Sequence, residues 1–256
     1  GIDMRLHGIE NVPDQPVVFV VNHFTRAETG LVPYVIKKNF KKYPLSLADQ
    51  HFFDGKIKNF MDHVGAVSTT DPNRDKILIS ALLTDRQPVV IFPEGQMIKD
   101  KKIIEKGKYL IYNAGIRRPP HSGAAQIALL TEFIREKLRT FKSLRDETSI
   151  ARLASRFGFN SGDLDRIIGK ETQIVPMNIT YYPVRARENL LSKLVQKIFH
   201  DLSERFREEL QIEGPIITGK VDIDIHFGRP IGAKRYLMSK WRLRRMAADH
   251  RIYLNT

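Results

Sequence analysis

The sequence predicts an α/β fold, a mixed and largely parallel sheet flanked by helices, with a helical insertion over residues 131–171. Three observations lead there. Two short apolar runs, Val17–Val21 after Pro16 and residues 87–92 before Pro93, are rich in β-branched and aromatic residues and read as strands buried on both faces. The segments between and after them carry apolar residues at helical spacing, so strand and helix alternate along the chain. Residues 221–227, VDIDIHF, alternate strictly and read as a half-buried strand. At 256 residues the chain is long enough to bury a full core as one domain, and it reads as a piece of a longer protein.

Residues 1–11 predict a strand and a turn leading into the Val17–Val21 strand. Residues 31–40 read as a helix ending in Lys37 and Lys38, 45–48 as a short strand, and 56–64 as a helix. A further helix over 70–83 begins with the start signal Asp71-Pro72-Asn73 and carries Ile77, Leu78, Ala81 and Leu82 on one side. After the 87–92 strand, Arg117-Arg118-Pro119-Pro120-His121-Ser122-Gly123 is a turn-rich loop before a helix whose N-terminus suits an anion. That helix, over 124–141, shows a stripe of Ile127, Leu130, Ile134, Leu138 and Phe141.

The run 150–169 is spaced as two helices joined by a turn at Gly158. A DNA-reading second helix would expose Asp163 and Asp165 in place of an obvious set of base-reading side chains, so two packed helices inserted in the domain are the better reading. Residues 173–182 return to strand, with Pro176 marking an irregular or edge position. Residues 189–210 read as a long amphipathic helix. Residues 234–251 interleave Lys240, Arg242, Arg244 and Arg245 with Trp241 and Met246, which suits an anionic membrane surface or a packed terminal helix.

The balance of 42 Lys and Arg against 29 Asp and Glu, a net +13, favours anionic partners: a membrane surface, phosphates, or nucleic acid. Without cysteine there is no disulfide framework, thiolate metal site or cysteine nucleophile. No apolar run reaches the roughly 20 residues of a membrane span.

The chemistry concentrates where the two buried strands end. Asn22 and His23 follow the first, with Arg26 and Glu28 after them; Phe92, Pro93, Glu94 and Gly95 follow the second. A neutral imidazole can take a proton from an alcohol, and a carboxylate on its other nitrogen fixes the tautomer and stabilises the imidazolium. Positions i and i+5 of one helix lie about 140° apart, so His23 and Glu28 meet only if His23 stands in a strand-to-helix turn and Glu28 in the first helical turn. Alone, an Asn-His after a strand is more often a satisfied structural histidine.

Asn22-His23 with Glu28, then Phe92-Pro93-Glu94-Gly95, then Ile174-Val175-Pro176-Met177, in that order, resemble the glycerolipid acyltransferase family of glycerol-3-phosphate and lysophosphatidate acyltransferases. That family's pattern is His, four residues, Asp, then a Phe-Pro-Glu-Gly block and a late Val-Pro block. The resemblance implies acyl transfer in phospholipid biosynthesis from acyl-CoA or acyl-carrier protein to a hydroxyl of glycerol 3-phosphate or lysophosphatidate, with His23 and Glu28 catalytic and no metal or other cofactor.

Three departures stand beside the match, the first in the acid, where the charge is preserved, and the other two at positions the family associates with the acceptor's phosphate. Glu28 replaces Asp, Asp71 stands where the family tends to carry an arginine, with Arg74 the nearest, and Gln96-Met97 replace Thr-Arg. The acceptor site is accordingly expected from Asn22, Arg26, Arg74, Phe92, Pro93, Glu94, Gly95 and Lys99, with Lys101 and Lys102 as further cations. The expected setting is the cytoplasmic face of the membrane, with peripheral attachment. The other readings open at this point are a lipid- or protein-binding module retaining the fold and, behind it, a helix-turn-helix DNA-binding protein.

Overall fold

A computed structural model describes residues 4–25, 27–48, 65–95, 103–105, 108–113, 116–183 and 221–239. Within them the order is β1 (Met4–His7), a 3-10 turn (Ile9–Asn11), β2 (Val17–Val21), α1 (Glu28–Phe40), β3 (Leu45–Ala48), β4 (Ala66–Ser68), α2 (Arg74–Leu83) and β5 (Val89–Ile91). Then come β6 (Ile103–Glu105), β7 (Lys108–Asn113), β8 (Ile116–Arg118), α3 (Gly123–Ser143), α4 (Glu147–Phe157) and α5 (Leu164–Gly169). The described chain closes with β9 (Gln173–Pro183), β10 (Val221–Phe227), β11 (Ile231–Gly232) and α6 (Ala233–Ser239). The expected helices over 56–64 and 189–210, and most of 234–251, lie outside the described residues.

The main sheet runs β1-β10-β9-β2-β5-β3-β4, with β11 paired to β9. Strands β9, β2, β5, β3 and β4 are mutually parallel; β10 turns antiparallel against β9, and β1 is parallel to β10. The sheet is therefore mixed and mostly parallel. Both faces are covered at its centre, which is why β2 and β5 read as unbroken apolar runs rather than alternating ones. Val17, Phe19 and Val21 face α1, packing with Val32, Val35 and Ile36. Val18, Val89 and Ile91 face the other side, against Leu78 and Leu82 of α2 and Ile127 and Leu138 of α3.

Two boundaries shift for local reasons. Helix α1 begins at Glu28, three residues before the expected 31, because the Glu28 side chain itself caps the preceding amides. Helix α2 begins at Arg74 rather than 70, since Asp71 closes a turn first: its Oδ1 accepts from Asn73 N at 2.7 Å and its carbonyl from Arg74 N at 3.0 Å. Of the two expected settings for Pro176, irregular or edge, the structure has the irregular one: it stands inside the sheet opposite Val20 of β2, where β9 passes from its pairing with β11 to its pairing with β10. Its carbonyl accepts from Gly228 N at 2.8 Å, so its missing N–H points to the β10 side, beyond the last ladder pair Met177–Phe227, and no ladder bond is lost. The β6-β7-β8 meander, an antiparallel unit between β5 and α3, and the short β4 have no counterpart in the sequence reading.

Helices α4 and α5 pack inward. Asp146 caps α4 by accepting from Ser149 N at 3.0 Å, and Gly158 ends it in the left-handed conformation. Leu153, Ala154, Phe157 and Ile167 join the α2–α3 core, while Arg166 donates to the Thr84 carbonyl.

Under this layer α3 carries a fully buried ion pair, Glu132 and Arg135, at 3.1 Å. Arg135 also donates to the carbonyls of Ile167 and Leu82, and Glu132 accepts from Thr172 N, so the pair joins α3 to α2, α5 and the lead-in of β9. Burial pushes the Glu132 carboxyl up and the Arg135 guanidinium down, each opposed by the partner's charge. The attraction thus falls short of offsetting desolvation, and the pair's value appears when one member is lost. Arg135→Met leaves a buried carboxylate without its paired cation and removes one donor from each of the Ile167 and Leu82 carbonyls, and is expected to cost about 3–5 kcal/mol in urea denaturation near neutral pH. In that variant the folded-state carboxyl lies still higher, so its protonation favours the fold. The deficit should shrink as pH falls toward the unfolded carboxyl's value of about 4.3 and be largest well above it.

Candidate active site

The register of three parallel strands brings the chemistry together. Val20 of β2 lies beside Ile91 of β5 on one side and Pro176 of β9 on the other, so residues 22–25 and 92–95 leave the sheet side by side at its carboxyl edge, where open α/β sheets bind ligands. His23 stands in the strand-to-helix connector, and Glu28 is the first residue of α1, the one arrangement that lets an i, i+5 pair meet. His23 Nδ1 lies 2.8 Å from Glu28 Oε2.

Glu28 is fully buried and its carboxylate is surrounded by donors. Oε2 also accepts from Phe24 N at 2.8 Å, while Oε1 accepts from Thr25 N at 3.2 Å and from the Tyr181 hydroxyl at 3.1 Å. A carboxylate in this set only accepts, so Nδ1 of His23 is the protonated nitrogen and Nε2 carries the lone pair. The imidazole keeps 18% side-chain exposure and lies against the Phe92 ring with centroids 4.6 Å apart. The result is an oriented imidazole that could act as a base through Nε2. The extra methylene of Glu over Asp serves this geometry: from the first helical position the longer side chain reaches back across the connector to three backbone or ring N–H groups and to β9.

The second segment braces the first. Glu94, 3% exposed, accepts from the backbone N of His23 at 2.9 Å, which ties the 92–95 turn to the base. Gly95 has φ +66°, and a Cβ there would lie 2.8 Å from the His121 ring, so both the turn and the close approach of the loop before α3 require glycine. His121 N donates to the Pro93 carbonyl at 2.8 Å. Arg118 donates to the Glu94 carbonyl and sits 2.9 Å from His121 Nε2, placing a guanidinium on the Glu94–Gly95 turn.

The remaining expected residues divide. Asn22 exchanges hydrogen bonds with the backbone of Ile179, at 3.0 and 2.7 Å, extending the β2–β9 ladder with its side chain; it also lines a cavity of about 520 Å³ with Pro93, Glu94, Pro120, Met177 and His226. Arg74 follows β4, three strands from β2 and about 14 Å away at the usual strand spacing, and its guanidinium engages Asp75 and the Thr69 carbonyl. The structure does not bring Arg74 to His23. Arg26, Lys99, Lys101 and Lys102 lie outside the described residues. The sequence reading missed Tyr181 and Arg118 as site residues. Tyr181 carries no local signal, whereas Arg118 stood in a loop already noted for anions.

No curated protein matches this chain. Among solved structures, the crystal structure of the 1-acyl-sn-glycerophosphate (LPA) acyltransferase PlsC from Thermotoga maritima is similar, at 13% identity over 96% of this chain and 71% of that one, with a TM-score of 0.43. A family model described as Acyltransferase matches residues 3–179, which is well over half of the 256 residues and includes both the His23–Glu28 and the Phe92–Gly95 segments. The chain belongs to this acyltransferase family, and its motifs resemble those of the glycerolipid acyltransferases.

Proposed function

We propose that the protein transfers a fatty acyl group from an acyl thioester, acyl-CoA or acyl-carrier protein, to a hydroxyl of a phosphorylated glycerol such as glycerol 3-phosphate or lysophosphatidate. The observation that carries this reading is the 2.8 Å contact between His23 Nδ1 and a buried, fully donor-satisfied Glu28. His23 Nε2 takes the acceptor's hydroxyl proton as its oxygen attacks the thioester carbonyl; the C–S bond then breaks, and the leaving thiolate takes the proton from the imidazolium. Glu28 stabilises the imidazolium and holds the ring, and Tyr181 holds Glu28. Side chains alone supply the steps.

A phosphate on the acceptor needs a cation near the Glu94–Gly95 turn. Arg118 is the described residue bonded there, with guanidinium N–H groups beyond the two already engaged and a fork suited to phosphate. It takes the role that Arg74, held elsewhere, does not fill. The surrounding basic chain favours an anionic membrane face, and among the described residues no helix is long and apolar enough to cross a bilayer. We place the working position at the inner membrane surface, attached through the cluster of Lys240, Arg242, Arg244 and Arg245 around Trp241, which lies outside the described residues.

Three measurements test these statements. In an acyl-transfer assay, His23→Ala should lower kcat by about 10²–10⁴, Glu28→Gln should fall in the same direction because it keeps the shape and removes the charge, and Tyr181→Phe should cost less. Turnover unchanged in His23→Ala would refute the mechanism. Across an acceptor panel, phosphorylated glycerols should outperform uncharged alcohols, with Arg118→Ala raising KM for the phosphorylated acceptor by about tenfold or more, the loss of one charge-assisted contact; equal use of both acceptor classes contradicts the phosphate assignment. Co-sedimentation with liposomes should rise with anionic lipid and fall with salt, at about 1 kcal/mol per basic residue near the surface, and drop when the four basic residues are neutralised. Binding that ignores lipid charge rules out this attachment.

A further inference from the structure

The sheet's β1-β10 margin carries a second cluster of functional groups. His7 of β1 and His226 of β10 are register partners on adjacent parallel strands, so their side chains leave the same face, and Asp224, two residues back along β10, leaves it too. The two imidazoles are stacked, centroids 4.3 Å apart at 11°. His7 Nε2 lies 3.7 Å from Asp224 Oδ2, too far for a hydrogen bond, and one ligand atom from each of the three residues lies within 4.8 Å of the others. Asp224 has 13% side-chain exposure; its Oδ1 is shielded, accepts no hydrogen bond, and faces Arg5 Nε at 3.5 Å.

We propose that His7, Asp224 and His226 form a binding site for a borderline divalent cation of the zinc class. Two imidazoles and one carboxylate are the donors such an ion prefers, and three protein ligands leave at least one position for water or another group. Ligand atoms of a tetrahedral zinc site stand about 3.3–3.4 Å apart, given bonds of about 2.0–2.1 Å, so the present spacing closes by rotamer adjustment of two exposed imidazoles. Arg5 acts as an orienting partner. It occupies the Oδ1 side of Asp224, leaving Oδ2 toward the imidazoles, and it also pairs with Asp222 at 3.2 Å, so the local charge of Arg5, Asp222 and Asp224 is one negative unit although the chain is strongly positive.

The ion would join the four-residue edge strand β1 to β10. It would sit two strands from β2, about 10 Å across the sheet, on the rim of the cavity that His226 and Asn22 both line. The proposal is independent of the acyl-transfer reading, because it uses none of His23, Glu28 or Arg118.

The full chain, stripped with chelator, is titrated with Zn²⁺ by calorimetry, and Co²⁺ binding is followed by visible absorption. One saturable ion per chain is expected, with the low-symmetry absorption of four- or five-coordinate Co²⁺ and a Zn²⁺-dependent rise in thermal midpoint. His7→Gln, His226→Gln and Asp224→Asn should each weaken binding by about tenfold or more, and the triple variant should lose the Co²⁺ spectrum and the thermal shift. If Asp224→Asn lowers stability, the two exposed histidine variants decide the matter alone. No saturable ion in the unaltered chain, or one bound equally well by the histidine variants, overturns the site.

Discussion

The carboxylate of Glu28 is the constraint on which the site's architecture depends. It is a charge with no exposure to water, and such a group persists only when its lone pairs are met by donors. Those donors come from three directions: the His23 ring, the Phe24 and Thr25 amides of the connector, and the Tyr181 hydroxyl on β9. Satisfying the charge therefore sets the path of residues 23–25, the first turn of α1 and the docking of β9. The same contacts orient His23, so the group that holds the connector in place also fixes the imidazole.

The rest of the molecule serves to hold that connector. Strand β2 lies between β5 and β9 with all three parallel, both its faces are dry, and its end is thereby held in register with the 92–95 turn and with Ile179. Asn22 carries the ladder one residue past the strand through its amide, and Glu94 ties the neighbouring turn to the His23 backbone. On the α2–α3 side the buried Glu132–Arg135 pair performs a similar task far from the chemistry, joining carbonyls at two helix ends to the start of β9. Buried charge in this protein serves to fix relative position, while the apolar clusters supply the burial that drives folding.

The departures from the family pattern fit together physically. A glutamate in the acid's place needs a longer reach and finds it from the first residue of α1, with Tyr181 meeting the oxygen turned away from His23. A guanidinium near the Glu94–Gly95 turn arrives from the end of β8, and the left-handed glycine permits the His121 loop that follows to come so close. The positive charge at the turn thus comes from a different part of the chain than the family's spacing would suggest.

The sequence alone determined what depends on local pattern. Two apolar runs ending in polar residues announced buried parallel strands, the i, i+5 spacing restricted His23 and Glu28 to a strand-to-helix turn, and the alternation of residues 221–227 announced a half-buried strand. Each is a periodicity or a spacing within a few residues, and short-range sterics express it directly. Tertiary structure decided what depends on contacts between distant segments. Tyr181 lies 153 positions from Glu28 and Arg118 lies 24 from Glu94, and neither pairing has a local signature. Pro176, read as an irregular or edge position, is irregular inside the sheet because β10 ends beside it, which only the β9–β10 register reveals. Arg74 was nearest in sequence to the position where the family carries an arginine, but the strand order β2-β5-β3-β4 removes it from the base, since sequence proximity to a motif does not specify which strand lies next to which.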